Sequence, residues 1–137
     1  MKVAVIIDTW FPFIGGGQIN AWEISKRIAR KGHKVSIITR NNGNYKLEKV
    51  KNLRIIRIGS SIDSRDNFSR ITFLIRAFLF VIKQNYDLYH LQPFLPGLLT
   101  PFIRYILKKP VIFTIHGTRL FEKNPNRSFG FLLERFI

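Results

Sequence analysis

Residues 3–7 are an unbroken apolar run, Val-Ala-Val-Ile-Ile, and Asp8 stops it. A run of this kind suits a strand covered on both faces, as in a parallel sheet. Three consecutive glycines follow, Gly15, Gly16 and Gly17, then an amphipathic segment that stops at Lys31-Gly32, then a second apolar run at 35–39. Strand, glycine loop, helix, turn and strand in this order restrict the chain to an α/β fold with a crossover connection. The glycines let backbone come close to a ligand, and the helix start behind them offers N–H groups to an anion.

The rest of the chain repeats the alternation. In the first helix Ala21, Ile24, Ile28 and Ala29 share one face, and Gly32 caps the C-terminus. The sequence Asn-Asn-Gly-Asn at 41–44 forms a turn. Residues 53–58 predict a third strand, near an edge because Arg54 and Arg57 interrupt it. A polar loop at 59–67 leads into a helix over 68–84, with Ser69, Thr72, Arg76 and Lys83 on one narrow polar stripe. Phe73, Phe78 and Phe80 surround that helix with more apolar surface than one sheet face can cover, so the surplus calls for another partner.

Residues 87–91 predict a fourth strand. A helix at 94–107 follows and, given Pro96 and Pro101, properly begins near Leu98. A fifth strand covers 111–115, and a loop at 118–126 leads to a further helix start at 128–137. The expectation is one domain over 1–137, a Rossmann-like doubly wound parallel sheet with strand order 3-2-1-4-5. In such a sheet ligands bind at the carboxyl ends of the strands, beside the switch point. The glycine loop, His90-Leu91-Gln92 and His116-Gly117 all fall on that edge.

Composition narrows the chemistry. Lys plus Arg number 23 against 8 Asp plus Glu, a net charge of +15. That favours a polyanionic partner: nucleic acid, an anionic membrane face or a phosphorylated small molecule. The absence of cysteine excludes disulfides and thiolate metal sites and permits a reducing cytoplasm. The longest apolar stretch, 71–82, contains Arg76 and falls short of the roughly 20 residues of a spanning helix. Only five apolar residues follow Lys2 before Asp8, which is no signal peptide.

The triple glycine is not a dinucleotide fingerprint. Seven residues separate it from Ile7, Asn20 stands where the last glycine belongs, and the second strand ends in Thr39-Arg40 rather than an acid. No Lys-Ser or Lys-Thr follows it, so it is no P-loop either. Three histidines on separate elements lack metal-ligand spacing, and no metal is expected. His33 lies at the opposite sheet edge, in a structural position. For His116, between an apolar strand and a glycine, ligand contact and a hydrogen-bonded structural role both stand open; the same holds for His90. Asp8 is the one carboxylate placed near the ligand edge, with capping of the loop backbone as its alternative. No paired carboxylates suit glycosidase chemistry, and no Gly-x-Ser-x-Gly elbow occurs.

In order, FPFIGGGQINAWEISKRIARKGHKVSIIT, YDLYHLQ and VIFTIHGT resemble the N-terminal half of family 4 glycosyltransferases of the GT-B type. The shared features are a proline and glycine pair after the first strand, a glycine-histidine turn closing the first helix, an Asp-x-x-His segment and a Thr-x-His-Gly segment. They span about residues 2–118. The resemblance implies retaining transfer of a sugar from a nucleotide-sugar donor to an acceptor, in a cleft between two Rossmann-like domains, with no cofactor. It implies that Gly15, Gly16 and Gly17 approach the donor diphosphate and that His116 acts catalytically beside the donor sugar. Asp8, Trp10, Gln18 and His90 are acceptor-side candidates. It also implies a cytoplasmic protein, peripheral at an anionic membrane surface; nucleic acid is not expected.

The pair of glutamates that marks the family's donor-binding domain is missing from the sequence. The expectation is therefore a truncated N-terminal domain, short of its last strands and inactive without a C-terminal partner domain. The competing reading is a non-enzymatic module that binds a polyanion or an anionic membrane on the same scaffold.

Overall fold

The computed structural model describes residues 1–41, 47–59, 67–93 and 95–116. Strand β1 (Lys2–Ile7) is central, with β2 (Lys34–Arg40) on one side. Beyond β2 lie β4 (Leu53–Ile58) and then β3 (Leu47–Val50); on the other side of β1 lie β5 (Leu88–Leu91) and β6 (Val111–Phe113). The sheet order is β3-β4-β2-β1-β5-β6. Every pairing is parallel except β3 with β4. The five strands expected from sequence take the expected order 3-2-1-4-5.

Helices α1 (Gly16–Arg30) and α2 (Asn67–Gln84) cover opposite faces, which explains the unbroken apolar run of β1. Successive side chains of a strand alternate between faces. Val3, Val5 and Ile7 join Val35, Ile37, Trp10 and Ala21 under α1. Ala4 and Ile6 join Ile38, Phe73, Ala77, Val81 and Tyr89 under α2. Gly32 closes α1 with φ +88, a conformation that side chains resist, and its N–H reaches the Ala29 carbonyl at 3.1 Å.

Four details depart from the sequence reading. Strand β3 is an antiparallel edge strand absent from that reading: Leu-Glu-Lys-Val is short and charged, and it pairs through a tight turn in which Lys51 has φ 51. Lysine on a short edge strand discourages pairing with other chains. The stretch read as one helix at 94–107 is a 3-10 turn (Leu95–Leu99) followed by a π turn (Phe102–Ile106). Pro96 and Pro101 lack N–H donors, so a continuous α-helical ladder cannot run through them. Strand β6 ends at Phe113 rather than Ile115. Ser69 is buried, not on a polar stripe, because 69, 73, 77 and 81 recur every fourth residue and face the sheet. The loop at 42–44, Arg65 in the loop at 60–66, Phe94, Gly117 and the segment 118–137 lie outside the described residues.

The surplus apolar surface of α2 is met in part by Phe102, whose ring centroid is 5.6 Å from that of Phe78. Ile75 and Leu79 stay about half exposed. Among the described residues no helix is long and apolar enough to cross a membrane. The two faces of α2 give a clean contrast. Phe73→Ala, at a fully buried site, is expected to cost about 3–5 kcal/mol. Ile75→Ser, at 55% exposure, should stay within about 0.5 kcal/mol of wild type in urea unfolding.

Candidate functional site

The loop leaving β1 turns at Gly15, whose carbonyl accepts the Ile19 N–H at 3.1 Å and opens α1. No side chain caps this helix start, and its first turn carries no acid. The first N–H groups of a helix have no partner inside it, so they point outward with the positive end of the helix dipole. The three glycines are not equivalent. A Cβ on Gly16 would meet open space, whereas one on Gly17 would lie 3.2 Å from the His116 ring, a tight contact. One on Gly15 would meet only the flexible Gln18 side chain at 2.9 Å. Gln18 is itself tied back to the loop by its 2.7 Å hydrogen bond to the Thr9 hydroxyl.

Behind His116 runs a chain of polar side chains at the carboxyl ends of β5 and β6. His116 Nε2 bonds Gln92 Oε1; Gln92 Nε2 lies 3.0 Å from His90 Nε2; and His90 Nε2 lies 2.7 Å from Thr114 Oγ1. Gln92 is fully buried, and its backbone N–H binds the Ile6 carbonyl at 2.9 Å, which fixes the chain to β1. With the amide in this orientation its NH2 donates to His90, so His90 Nε2 is bare. Its carbonyl then accepts from His116, so the exposed ring carries a proton on Nε2. Reversing the amide reverses both tautomers. Burial lowers the pKa of His90, and the neighbouring His116 adds to the effect, so this ring is held neutral.

Asp8 is held in ion pairs, and its carboxylate does not cap the loop backbone in any bond among the described residues. Its carboxylate receives Arg70 Nε at 3.1 Å and Arg40 Nη2 at 3.4 Å, while Arg40 Nε lies 3.3 Å from Oδ1. Its carbonyl accepts the Arg40 N–H and the Thr39 hydroxyl, each at 3.4 Å. Asp8 therefore ties the ends of β1 and β2 to the first turn of α2, with Arg40 only 1% exposed. Arg57 pins the loop further through a 3.0 Å bond to the Phe11 carbonyl. Trp10 does not line the ligand edge. It is 1% exposed, with its ring centroid 5.2 Å from Phe11 and 6.2 Å from Trp22, in the core beneath α1.

The fold thus brings Gly17 and His116 together with Gln92, His90 and Thr114 in support, and it leaves Asp8 and Trp10 in structural positions. Sequence reasoning set Gln92 at the right edge without a role; its spacing of two from His90 already put both on one face of a strand. Among the described residues no three His, Cys, Asp or Glu side chains converge on a metal position.

Two measurements probe this arrangement. Removing the Asp8 charge takes an anionic partner from the buried Arg40 guanidinium, so Asp8→Asn should lower the unfolding free energy by about 1–3 kcal/mol in denaturant titrations. The stability gained from a neutral His90 is complete above the ordinary histidine value of 6.5 and is lost as pH falls through the lowered folded value. The thermal midpoint of the wild type should therefore fall on acidification below that point, and His90→Gln should flatten the dependence.

A family model of Glycosyltransferase Family 4 matches residues 14–137. Sucrose-phosphate synthase from Thermosynechococcus elongatus has a similar fold, with a TM-score of 0.71 at 21% identity over 85% of this chain and 33% of that one. A glycosyltransferase from Rickettsia africae ESF-5 gives a TM-score of 0.56 at 18% identity over 91% of this chain and 31% of that one. The chain thus spans about a third of the length of either structure. No curated protein sequence gives a match. The Rossmann-like sheet agrees with these structures, and the family match takes in all but the first 13 residues: the chain belongs to Glycosyltransferase Family 4.

Proposed function

We propose that this chain is the acceptor-side, N-terminal half of a glycosyltransferase that moves a sugar from a nucleotide-sugar donor to an acceptor with retention. A second, donor-binding domain completes the enzyme, and the chain alone turns over no donor. The observation that carries this reading is the placement of the exposed His116 ring against the backbone of Gly17, at the uncapped start of α1. A leaving diphosphate gains charge as the glycosidic bond breaks. Outward N–H groups and the positive end of a helix dipole stabilise that charge without reorganising. In this reading α1 meets the diphosphate charge in place of a metal.

His116 contacts the donor sugar beside the reacting carbon, and Gln92 holds its tautomer. Gln18, beside the loop, faces the acceptor; His90 acts from behind His116 rather than on the acceptor itself. The net charge of +15 and the half-exposed Ile75 and Leu79 support a position against an anionic membrane face, on the cytoplasmic side.

The glycine geometry supplies a test free of folding artefacts. Since a Cβ at Gly16 meets nothing, Gly16→Ala should leave stability unchanged or slightly raised while a bound diphosphate loses its place. In an enzyme reconstituted with a donor-binding domain, Gly16→Ala and His116→Ala should each lower transfer by about a hundred-fold or more. Unchanged transfer in both variants, with polyanion binding still present, would favour the charge-driven module.

A further inference from the structure

The edge of the sheet opposite the glycine loop holds a cavity of about 400 Å³ that the reaction leaves unused. Five cations line it: Lys2, Lys34, Lys49, Lys51 and Arg54. The strand register produces this cluster. Lys2 stands beside Lys34 in the β1–β2 pairing, and Lys49 stands opposite Arg54 in the β3–β4 pairing. Like charges placed directly side by side on neighbouring strands are unfavourable. Here two such pairs border one cavity.

The cluster is built rather than merely crowded. The Arg54 Nε donates to the buried Ser36 hydroxyl at 2.7 Å, and its Nη2 donates to the buried Tyr86 hydroxyl at 3.3 Å. Those two bonds seat the guanidinium in the cavity floor. Among the described residues no carboxylate lines the cavity. Among the described residues none of the five cationic side chains has an acidic partner; Asp87 is bonded instead to the backbone N–H of Lys2, at 2.6 Å. The C-terminus of α2, with Gln84 on the cavity wall, favours a cation nearby, but a half-charge does not account for five. An adjoining cavity shares Lys51 and adds Arg30, together with Lys26, which is paired with Glu23 at 2.7 Å.

We propose that this cavity binds a ligand carrying two or more phosphate charges, at a site separate from the glycine loop and independent of the transfer reaction. A fixed guanidinium on the floor supplies paired N–H donors, and four flexible ammonium groups close over the anion. The chemistry fits a free phosphate ester or the headgroup of an anionic lipid.

The test is calorimetric titration of the whole chain with inorganic pyrophosphate. The double variant Lys34→Gln/Lys49→Gln should weaken binding by about ten-fold or more. The charge-matched control Arg76→Gln/Arg104→Gln, at exposed positions away from the cavity, should retain wild-type affinity. Thermal melts establish that both variants stay folded. Flotation with phosphatidylcholine vesicles, with and without phosphatidylglycerol, separates the two sources. Vesicle retention that pyrophosphate competes away and Lys34→Gln/Lys49→Gln loses assigns the site to a lipid headgroup. Pyrophosphate binding without vesicle retention assigns it to a soluble phosphate ester. Equal losses in the two double variants, or no pyrophosphate binding by the wild type, overturns the proposal.

Discussion

Strand β1 has no face left for water, and that constraint sets much of the architecture. Apolar side chains project from both of its surfaces, so one helix must cover each. Parallel neighbours on both sides then require crossover connections, and the chain leaves each parallel strand from the same end. The glycine loop, Gln92 and His116 meet at one edge for that reason. Their meeting is a property of the winding before it is a property of any ligand.

Polar groups buried near that edge are handled in two ways. Around Asp8, opposite charges converge: two guanidiniums from β2 and α2 meet one carboxylate from the end of β1. Such a cluster adds little net stability over an apolar replacement, but removing one member leaves a buried charge unmatched. It joins three elements at a point where the loop to α1 departs. Around Gln92 the bonds join an amide, two imidazoles and a hydroxyl, and directionality takes the place of ion pairing. One buried amide with a donor end and an acceptor end orders two imidazoles.

Much of the fold was legible because its signals are long and periodic. The runs at 3–7 and 35–39 are continuous enough to read as buried strands, the interrupted run at 53–58 reads as a strand near an edge, and Gly32 marks the end of α1. What escaped were features set by tertiary context. Leu-Glu-Lys-Val carries no strand pattern of its own and pairs because β4 offers an open edge. Ser69 is buried by its phase relative to Phe73 and Ala77, although its chemistry suggests water. The two prolines read only as a later helix start near Leu98, not as a backbone that tightens first and then widens. Within the site, the glycines and His116 were visible from residue type and position. Trp10 misled because the loop folds back and drops its ring under α1, a matter of packing that spacing does not encode. Asp8 misled because its partners, Arg40 and Arg70, are 32 and 62 residues away.

The contact between Gly17 and the His116 ring has a mechanical consequence. Helix α1 and the segment after β6 belong to different halves of the winding, yet here they lie so close that a methyl group on Gly17 would sit 3.2 Å from the ring. A side chain placed at position 17 would therefore press on the imidazole. The same edge of the ring bonds Gln92, whose backbone N–H is fixed to β1 at the centre of the sheet. The width of the gap between the start of α1 and the ring is thus set by the glycine on one side and by Gln92 behind the other.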